Sequence, residues 1–351
     1  MTYKQFQELG FNLTEKEINK IEKEVQGLYV QAYKDISERI KLQHLKVLSS
    51  VDTADYYNEM LKYNRLDILL KDISKDYRGY IRQVGNKTTS ALKMGMANNY
   101  YRQQFATSWA PVPAKFTALP KSLIEVAAVG TENTVSEITT AIAKKFGEGV
   151  EYMPQVGSLT ALINDNATKE IGQIRRAIIA GLRNGDGYAR TAAAVRGVIG
   201  RKLVEDGVEK ITGAMASATR IIRTESTRVL NAASYANSRQ LEAQDVDIYR
   251  VWDAVLDMRT RDRHAELDGQ RENKDGLFSI SGETARYPGD FSKVGLNVNC
   301  RCTTVEIVPG LEPDIRSARD PVTGEIEDFS YKNFTQWAEE KGLSYKNGRW
   351  Q

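Results

Sequence analysis

The side chains best suited to chemistry in this 351-residue chain are few. There are two histidines, His44 and His264, and two cysteines, Cys300 and Cys302. Three of these four lie close together near the C-terminal end. Cys300 and Cys302 are two apart, so on an extended strand both point to one side. Two thiolates and an imidazole suit zinc by ligand type, with Asp257 or Asp268 as a fourth ligand. The same residues fit a nucleophile, a base and an orienter: Cys300, His264 and an aspartate. They also fit a polar core that does no chemistry. In that arrangement Asp257 caps a helix, Arg261 pairs with a carboxylate, His264 is hydrogen-bonded, and the cysteines are small buried residues. No elbow or Gly-rich loop carries the cysteines, and no acidic cluster of a metal-dependent nuclease is evident. The polar core, without enzyme activity and without a cofactor, is therefore the expectation, with zinc as its alternative.

These residues need elements to hold them. Asp257, Arg261, His264 and Asp268 follow at steps of four, three and four, which places them on one face of a short helix with Asp257 as N-cap. As a cap alone, Asp257 contributes about 1 kcal/mol. Asp247 to Val255 is rich in β-branched and aromatic residues and reads as a strand. Gln270 to Ile280 reads as two short strands around Asp275-Gly276. Tyr287-Pro288-Gly289-Asp290 is a turn, and Asn299-Cys300-Arg301-Cys302 opens a strand that runs to Val308. Residues 246–310 thus form a compact α+β module.

The rest of the chain is helical in pattern. Thr14 with Glu17 reads as a capping box, followed by an apolar stripe through Ile18, Ile21, Val25, Leu28 and Ala32. Leu66, Leu69, Ile73, Tyr77 and Ile81 form a second stripe. The two stripes are expected to pack as a helical hairpin, or to leave one face for a partner. All eight prolines lie at Pro111 or later. Further helices are expected at 134–147 (Thr134 as N-cap, Glu137 closing its box), 160–182, 188–199 and 208–243. The fold class is mainly α: long helices in the N-terminal two-thirds, then the small mixed module. The domain plan is 1–108 helical, 109–120 a Pro-containing linker, 121–245 basic and helical, 246–310 the module, and 311–351 an acidic tail with Phe334 and Trp337 in a last amphipathic turn.

Charge and composition set outer limits. The net charge of +3 hides a basic stretch, 171–230, with eleven basic against five acidic side chains, and an acidic end, 303–351, with six against nine. The basic stretch, through Arg175, Arg176, Arg183, Arg220, Arg223 and Arg228, fits a polyanion such as DNA or an acidic protein surface, or a solvated helix face. Two cysteines exclude a disulfide-framework fold. No run of apolar residues is long enough to span a membrane, and Met1 to Gln5 carry no apolar signal core.

The composite pattern W-x4-D-x-R-T-R-x2-H-x2-L-D-G from Trp252 to Gly269 resembles one family. With it go Y-P-G-D at Tyr287 to Asp290 and N-C-R-C at Asn299 to Cys302. These are the phage head morphogenesis, or minor head, proteins with a domain similar to protein F of phage Mu. The helical Arg220-Ile-Ile-Arg223-Thr224-Glu225-Ser-Thr-Arg228 looks like a further family element. On this resemblance Trp252, Asp257, Arg259, Arg261, His264, Asp268, Asn299 and Arg301 form the motif's polar cluster. The resemblance implies a non-enzymatic minor component of a tailed-phage head. It would be assembled in the host cytoplasm and located in the virion, inside the head near the portal. Its partner would be the portal protein, with scaffold or major capsid protein and DNA as further contacts, and with a role in packaging or ejection. A DNA-binding ejection factor acting through the basic helices is the alternative. Many relatives carry an additional Cys-x2-Cys and a His-Pro where this sequence has Asp257 to Arg261 and Asn297-Val298, which removes zinc ligands. Some relatives are fused to an ADP-ribosyltransferase, and Glu325-Ile-Glu327 matches its E-x-E superficially. About forty residues after the module are too few for such a domain.

Overall fold

The computed structural model describes residues 3–48, 56–108, 110, 112–115, 159–205 and 208–351. The helix expected at 134–147 and most of the expected linker at 109–120 lie outside these residues. The fold is mainly helical with a small β-containing region toward the C-terminus. The chain divides into two compact units, residues 20–90 with 158–222, and residues 1–19 with 91–157 and 223–351.

The first unit is built on long helices. Helix α1 (Tyr3–Leu48) has 46 residues. Thr14 therefore falls within the helix and not at its start: Tyr3 to Leu13 contain no proline, and a single Gly10 costs only about 1 kcal/mol. After α2 (Tyr56–Leu61) and a short 3-10 turn, α3 (Arg65–Thr107) runs for 43 residues. The two apolar stripes meet. Of the expected α1 stripe Ile18, Val25 and Ala32 are buried while Ile21 and Leu28 are half-buried, and Tyr29, Ile36 and Ile40 complete the inner face; on α3 Leu66, Leu69, Ile73, Tyr77 and Ile81 are buried as expected. Glu24 pairs with Lys87 at 3.1 Å, the Tyr29 and Tyr77 rings meet edge to face, and Arg39 reaches Asp72 and Asp76. Partners descend on one helix as they ascend on the other, so the hairpin is antiparallel. Helix α4 (Leu159–Arg183) adds Ile163, Ile174, Ile178 and Leu182 to this core. It also brings in Glu170, whose carboxylate accepts the Tyr77 hydroxyl proton at 2.7 Å. Helix α5 (Tyr188–Ile199) follows the Asn184-Gly185 turn.

Where a helix was expected from Val208, the chain instead makes a hairpin, β1 (Lys202–Glu205) with β2 (Val208–Ile211), before α6 (Gly213–Glu242) begins. The β-branched Val204, Val208 and Ile211 favour extended structure, and that local preference outweighs the helical spacing read across it. Gly200 makes the neck, at φ +102: a Cβ there would stand 1.9 Å from the Thr212 carbonyl oxygen.

In the second unit, β3 (Tyr249–Asp253) pairs antiparallel with β6 (Thr303–Ile307), from Tyr249↔Ile307 to Asp253↔Thr303. Between them lie α7 (Asp262–Leu267), the hairpin β4 (Phe278–Ile280) and β5 (Glu283–Ala285), and α8 (Val294–Asn297). The hairpin turns at Ser281-Gly282, not at Asp275-Gly276. Asn273 explains the difference, because its side-chain oxygen accepts from Asp275 N and Leu277 N, both at 2.9 Å. That Asx turn takes up the backbone groups a strand pair needs. The core gathers around Trp252, fully buried against Phe278, Phe291, Leu267, Leu296 and the two cysteines.

Residues 311–351 pack a second, smaller core. Hairpin β7 (Ile315–Arg319) and β8 (Ile326–Ser330) leads to α9 (Phe334–Glu340), capped by Asn333 in a capping box with Gln336. A last pair, β9 (Tyr345–Lys346) and β10 (Arg349–Trp350), follows. Phe334, Trp337 and Ala338 pack with Ala318 on Leu256 and Ala265 of the motif region, with Trp350 alongside. The segment is acidic overall, yet its apolar residues are the ones turned inward.

Candidate functional site

Helix α6, from Thr224 onward, lies along the N-C-R-C element and holds it by its backbone. Thr224 Oγ1 accepts from Asn299 N at 3.0 Å, and Thr227 Oγ1 donates to the Cys300 carbonyl at 2.6 Å. Asn231 Nδ2 donates to the Cys302 carbonyl at 3.0 Å, and Asn237 Nδ2 to the Glu306 carboxylate at 3.1 Å. Steps of three and four keep Thr224, Thr227 and Asn231 on one face of the helix, and Asn237 follows from a neighbouring face. None of them belongs to the expected site. The signal that could have found them is this run of Thr and Asn, which are poor helix-interior residues, at helical spacing. Asn299 sits at φ +55, a conformation that asparagine tolerates better than most residues. The Tyr287-Gly289 turn is present and closes against α6. Gly289, at φ +96, leaves room for Arg228, whose Cα would be 2.9 Å from any added Cβ.

The structure brings His264, Cys300 and Cys302 together. His264 Nδ1, Cys300 Sγ and Cys302 Sγ all lie within 4.8 Å of one another. Nδ1 is 3.1 Å from Cys302 Sγ and 3.5 Å from Cys300 Sγ. They line a cleft of about 250 Å³ together with Arg259, Arg261, Asn299 and Arg301. On the far side of the ring, Arg261 Nη2 is 2.7 Å from His264 Nε2. A guanidinium has no acceptor, so Nε2 receives that bond and the ring proton sits on Nδ1, facing the sulfurs. Burial opposes ionisation of Cys300. Hydrogen bonds from the Cys302 thiol and backbone amide, with the Arg261 and Arg301 charges, overcome it and leave this thiol below its ordinary value. Burial and the neighbouring Cys300 push Cys302 well above.

By donor type and spacing, His264, Cys300 and Cys302 are the residues that could hold a soft metal ion. The Arg261 contact works against it, because a metal needs the Nδ1 lone pair and would leave an Nε2–H facing a guanidinium donor. Asp257 stands outside this group.

Asp257 and Asp268 take different places from those expected. The helix is only Asp262–Leu267, with Arg261 at its N-cap position, so Asp257, Arg261, His264 and Asp268 do not share one helical face. Asp257 instead accepts from Arg259 N at 2.9 Å and forms a two-bond pair with Arg301. Burial raises its carboxyl, but Arg301 and then Arg259 hold it below the usual range. Arg261 is anchored by the carbonyls of Gly295 and Leu296, not by a carboxylate. Asp268 faces away from the cleft. It accepts from Ala254 N, from Phe334 N and from both Nη atoms of Arg316, at 2.6–2.7 Å. Arg316 also pairs with Asp253 at 2.6 Å. Arg250, fully buried, binds Glu272 and the carbonyls of Gly276 and Arg286. Neither Arg250 nor Arg316 stands out by spacing in the sequence.

The basic residues are divided between the units. Arg175, Arg176, Arg183 and Arg220 are exposed in the first, and Arg183 Nε donates to the Tyr57 hydroxyl. In the second, Arg223 donates to Asn19, and Arg228 is paired with Glu225 at 2.7 Å. Glu325 and Glu327 lie on the β7–β8 hairpin, where Glu327 pairs with Lys341. No helix among the described residues is long and apolar enough to cross a membrane.

Residues 172–305 match the family model described as Phage Mu protein F like protein, so this segment is similar to that family. The particular relatives differ in extent. The chain is 26% identical over 332 residues to Minor head protein GP7 of Bacillus phage SPP1, covering 93% of this chain and 94% of that protein. It is 32% identical over 160 residues to the NAD(+)--arginine ADP-ribosyltransferase EFV of Enterococcus faecalis, covering 46% of this chain and 30% of that protein. An uncharacterized protein of Haemophilus influenzae is 30% identical over 121 residues, 34% of this chain and 23% of that protein. No solved structure matches the chain significantly.

Proposed function

We propose that this chain is a structural, non-enzymatic minor head protein of a tailed phage, associated with the portal during head assembly. The observation that carries the reading is the likeness to a minor head protein over 93% of the chain, which reaches well beyond the motif into the long helices. Those helices supply faces for protein contact, and the anchored motif supplies a rigid module. On this reading the protein is made in the host cytoplasm and carried inside the head near the portal. Its partners are the portal protein and, during assembly, scaffold or major capsid protein. Mass spectrometry of purified virions and empty procapsids tests it, together with capture of the chain on immobilised portal protein. The chain is expected in the particles and on the portal, and its absence from both particles overturns the reading.

A second reading rests on the exposure of Arg175, Arg176 and Arg183 on α4. We infer from it a contact with packaged duplex DNA that serves packaging or ejection. Binding should then weaken steeply with salt. A salt-independent or undetectable interaction excludes it. The partial likeness to an ADP-ribosyltransferase supports no transfer activity, since it spans 30% of that protein.

A further inference from the structure

The cleft beside His264 carries a charge that its neighbouring carboxylate does not balance. Arg259, Arg261 and Arg301 line it, and among the described residues no acidic side chain does. Behind them Asp257 serves two of the three, Arg301 through both Nη atoms at 2.6 Å and Arg259 at 3.2 Å. Arg261 binds neutral acceptors, the carbonyls of Gly295 and Leu296 and His264 Nε2. Three guanidinium groups against one carboxylate leave two positive charges over. We propose that this cleft binds the phosphate dianion of a small phosphomonoester.

The arginines are positioned before any ligand arrives. Arg301 is locked by its two bonds to Asp257, and Arg261 by its two carbonyls and the His264 ring, so little side-chain freedom remains to be lost on binding. Donors remain for a ligand. Arg261 Nε and Arg259 Nη1 have no protein acceptor among the described residues, and Asn299, which is exposed, adds a side-chain amide to the lining. Guanidinium groups match phosphate oxygens in geometry as well as charge. A cleft lined by one sign of charge also concentrates the opposite ion. The surplus of two charges suits a phosphomonoester dianion better than a carboxylate or a phosphodiester, which each carry one. Size points the same way. At about 250 Å³ the cleft is larger than a bare phosphate, and close to the lower bound of small-molecule sites, about 300 Å³. It therefore has room for the organic group that the phosphate esterifies. Arg259 is the arginine a ligand meets first, with two-thirds of its side chain in solvent (67%). Binding here is independent of any role in the phage head.

The test titrates the native full-length chain with adenosine 5′-monophosphate, 3′,5′-cyclic AMP and adenosine, by calorimetry at pH 8 and low salt. These probes share a base and carry two, one and no negative charges, since the second phosphate pKa is about 6. The monophosphate should bind one site per chain, several-fold more tightly than the cyclic diester, and adenosine should not bind. The two histidines, His264 in the cleft and His44 on α1, give the location. In a chain labelled with ¹³C in its histidine rings, the monophosphate should shift the His264 ring resonances and leave those of His44 in place. Arg259→Gln should weaken binding several-fold, and Arg176→Gln, on the exposed face of α4, should leave it unchanged. Should Arg259→Gln fail to fold, the histidine shifts in the wild type locate the site alone. No binding of the monophosphate overturns the proposal, as does equal affinity for the cyclic diester or adenosine. Binding that leaves the His264 resonances unmoved, or that Arg176→Gln weakens as much as Arg259→Gln, overturns it too.

Discussion

Arg301 and Asp257, 44 residues apart, bind each other through two parallel hydrogen bonds, Nη1 to Oδ2 and Nη2 to Oδ1, both at 2.6 Å. The pair ties the N-C-R-C element to the loop that precedes α7, and so fixes two sides of the cleft. It also changes what Asp257 contributes. A helix cap is worth about 1 kcal/mol, whereas removing one partner of a buried pair costs about 3–5 kcal/mol.

Asp257→Ala should therefore destabilise by about 3–5 kcal/mol in urea unfolding, well above a capping loss. The pH dependence carries a sign. The folded carboxyl titrates below its unfolded value, so the pair's stabilisation is present above that unfolded value, near pH 4 (about 3.9), and is lost as pH falls through the folded one. A loss near 1 kcal/mol, with no change in the acid limb, would return Asp257 to a capping role.

Arg316 makes the second test. It is buried and paired with both Asp253 and Asp268, so Arg316→Met leaves two inward carboxylates without their cation. Burial already raises the Asp253 carboxyl despite that cation. The variant should lose about 3–5 kcal/mol at neutral pH and recover part of it in mild acid, where the carboxyls protonate. Unfolding curves at two pH values check both parts.

Glu306 predicts the opposite slope. Burial lifts its carboxyl to about 7, against hydrogen bonds from Asn237 and the charge of Arg250. The folded chain then keeps a proton that the unfolded chain releases above the ordinary carboxyl value of 4.5. The stabilisation from this group is complete below that value and fades as pH rises through 7, by about 3 kcal/mol in all. Glu306→Gln should flatten the fall in unfolding free energy between about pH 5 and 8. A wild-type curve that keeps the same slope in the variant removes Glu306 as its source.

Two glycines separate conformational strain from crowding. Gly289 and Gly282 both have positive φ, +96 and +79, but only at Gly289 would a Cβ meet another backbone, that of Arg228 on α6. Gly282→Ala should cost about 1–2 kcal/mol from backbone strain alone, and Gly289→Ala clearly more. Equal shifts in Tm would show that the turn can move away from α6.

Much of this architecture was legible in the sequence wherever one period dominates. The stripes of α1 and α3, the bounds of α4 and α5, and the strand through Trp252 follow from spacing and residue type. The convergence of His264 with the two cysteines followed from the shortness of the module and the two-residue step. The fate of Asp257 and Asp268 did not, because i, i+4 arithmetic holds only while the helix continues, and α7 spans just Asp262–Leu267. Arg316 and Arg250 were also hidden: their partners lie 48 and 22 residues away in sequence, a distance that local pattern cannot bridge. The β1–β2 hairpin was missed because Val208 and Ile211, three apart, fit one helical face.

The pairing of β3 with β6 has a mechanical consequence. Tyr249 and Ile307 are opposite each other, so the chain comes into the pair and leaves it at the same end. Tension between the two flanks would peel such an antiparallel ladder one rung at a time, the weakest way to load it. The guanidinium of Arg316 alters that path. Pulled from the C-terminal side, hairpin β7–β8 takes up the load first and passes it through Arg316 to Asp253, the last rung of β3. The force then runs along β3 without peeling β6 away. The module is mechanically closed for as long as that clasp and the contacts of Arg316 and Phe334 with Asp268 hold.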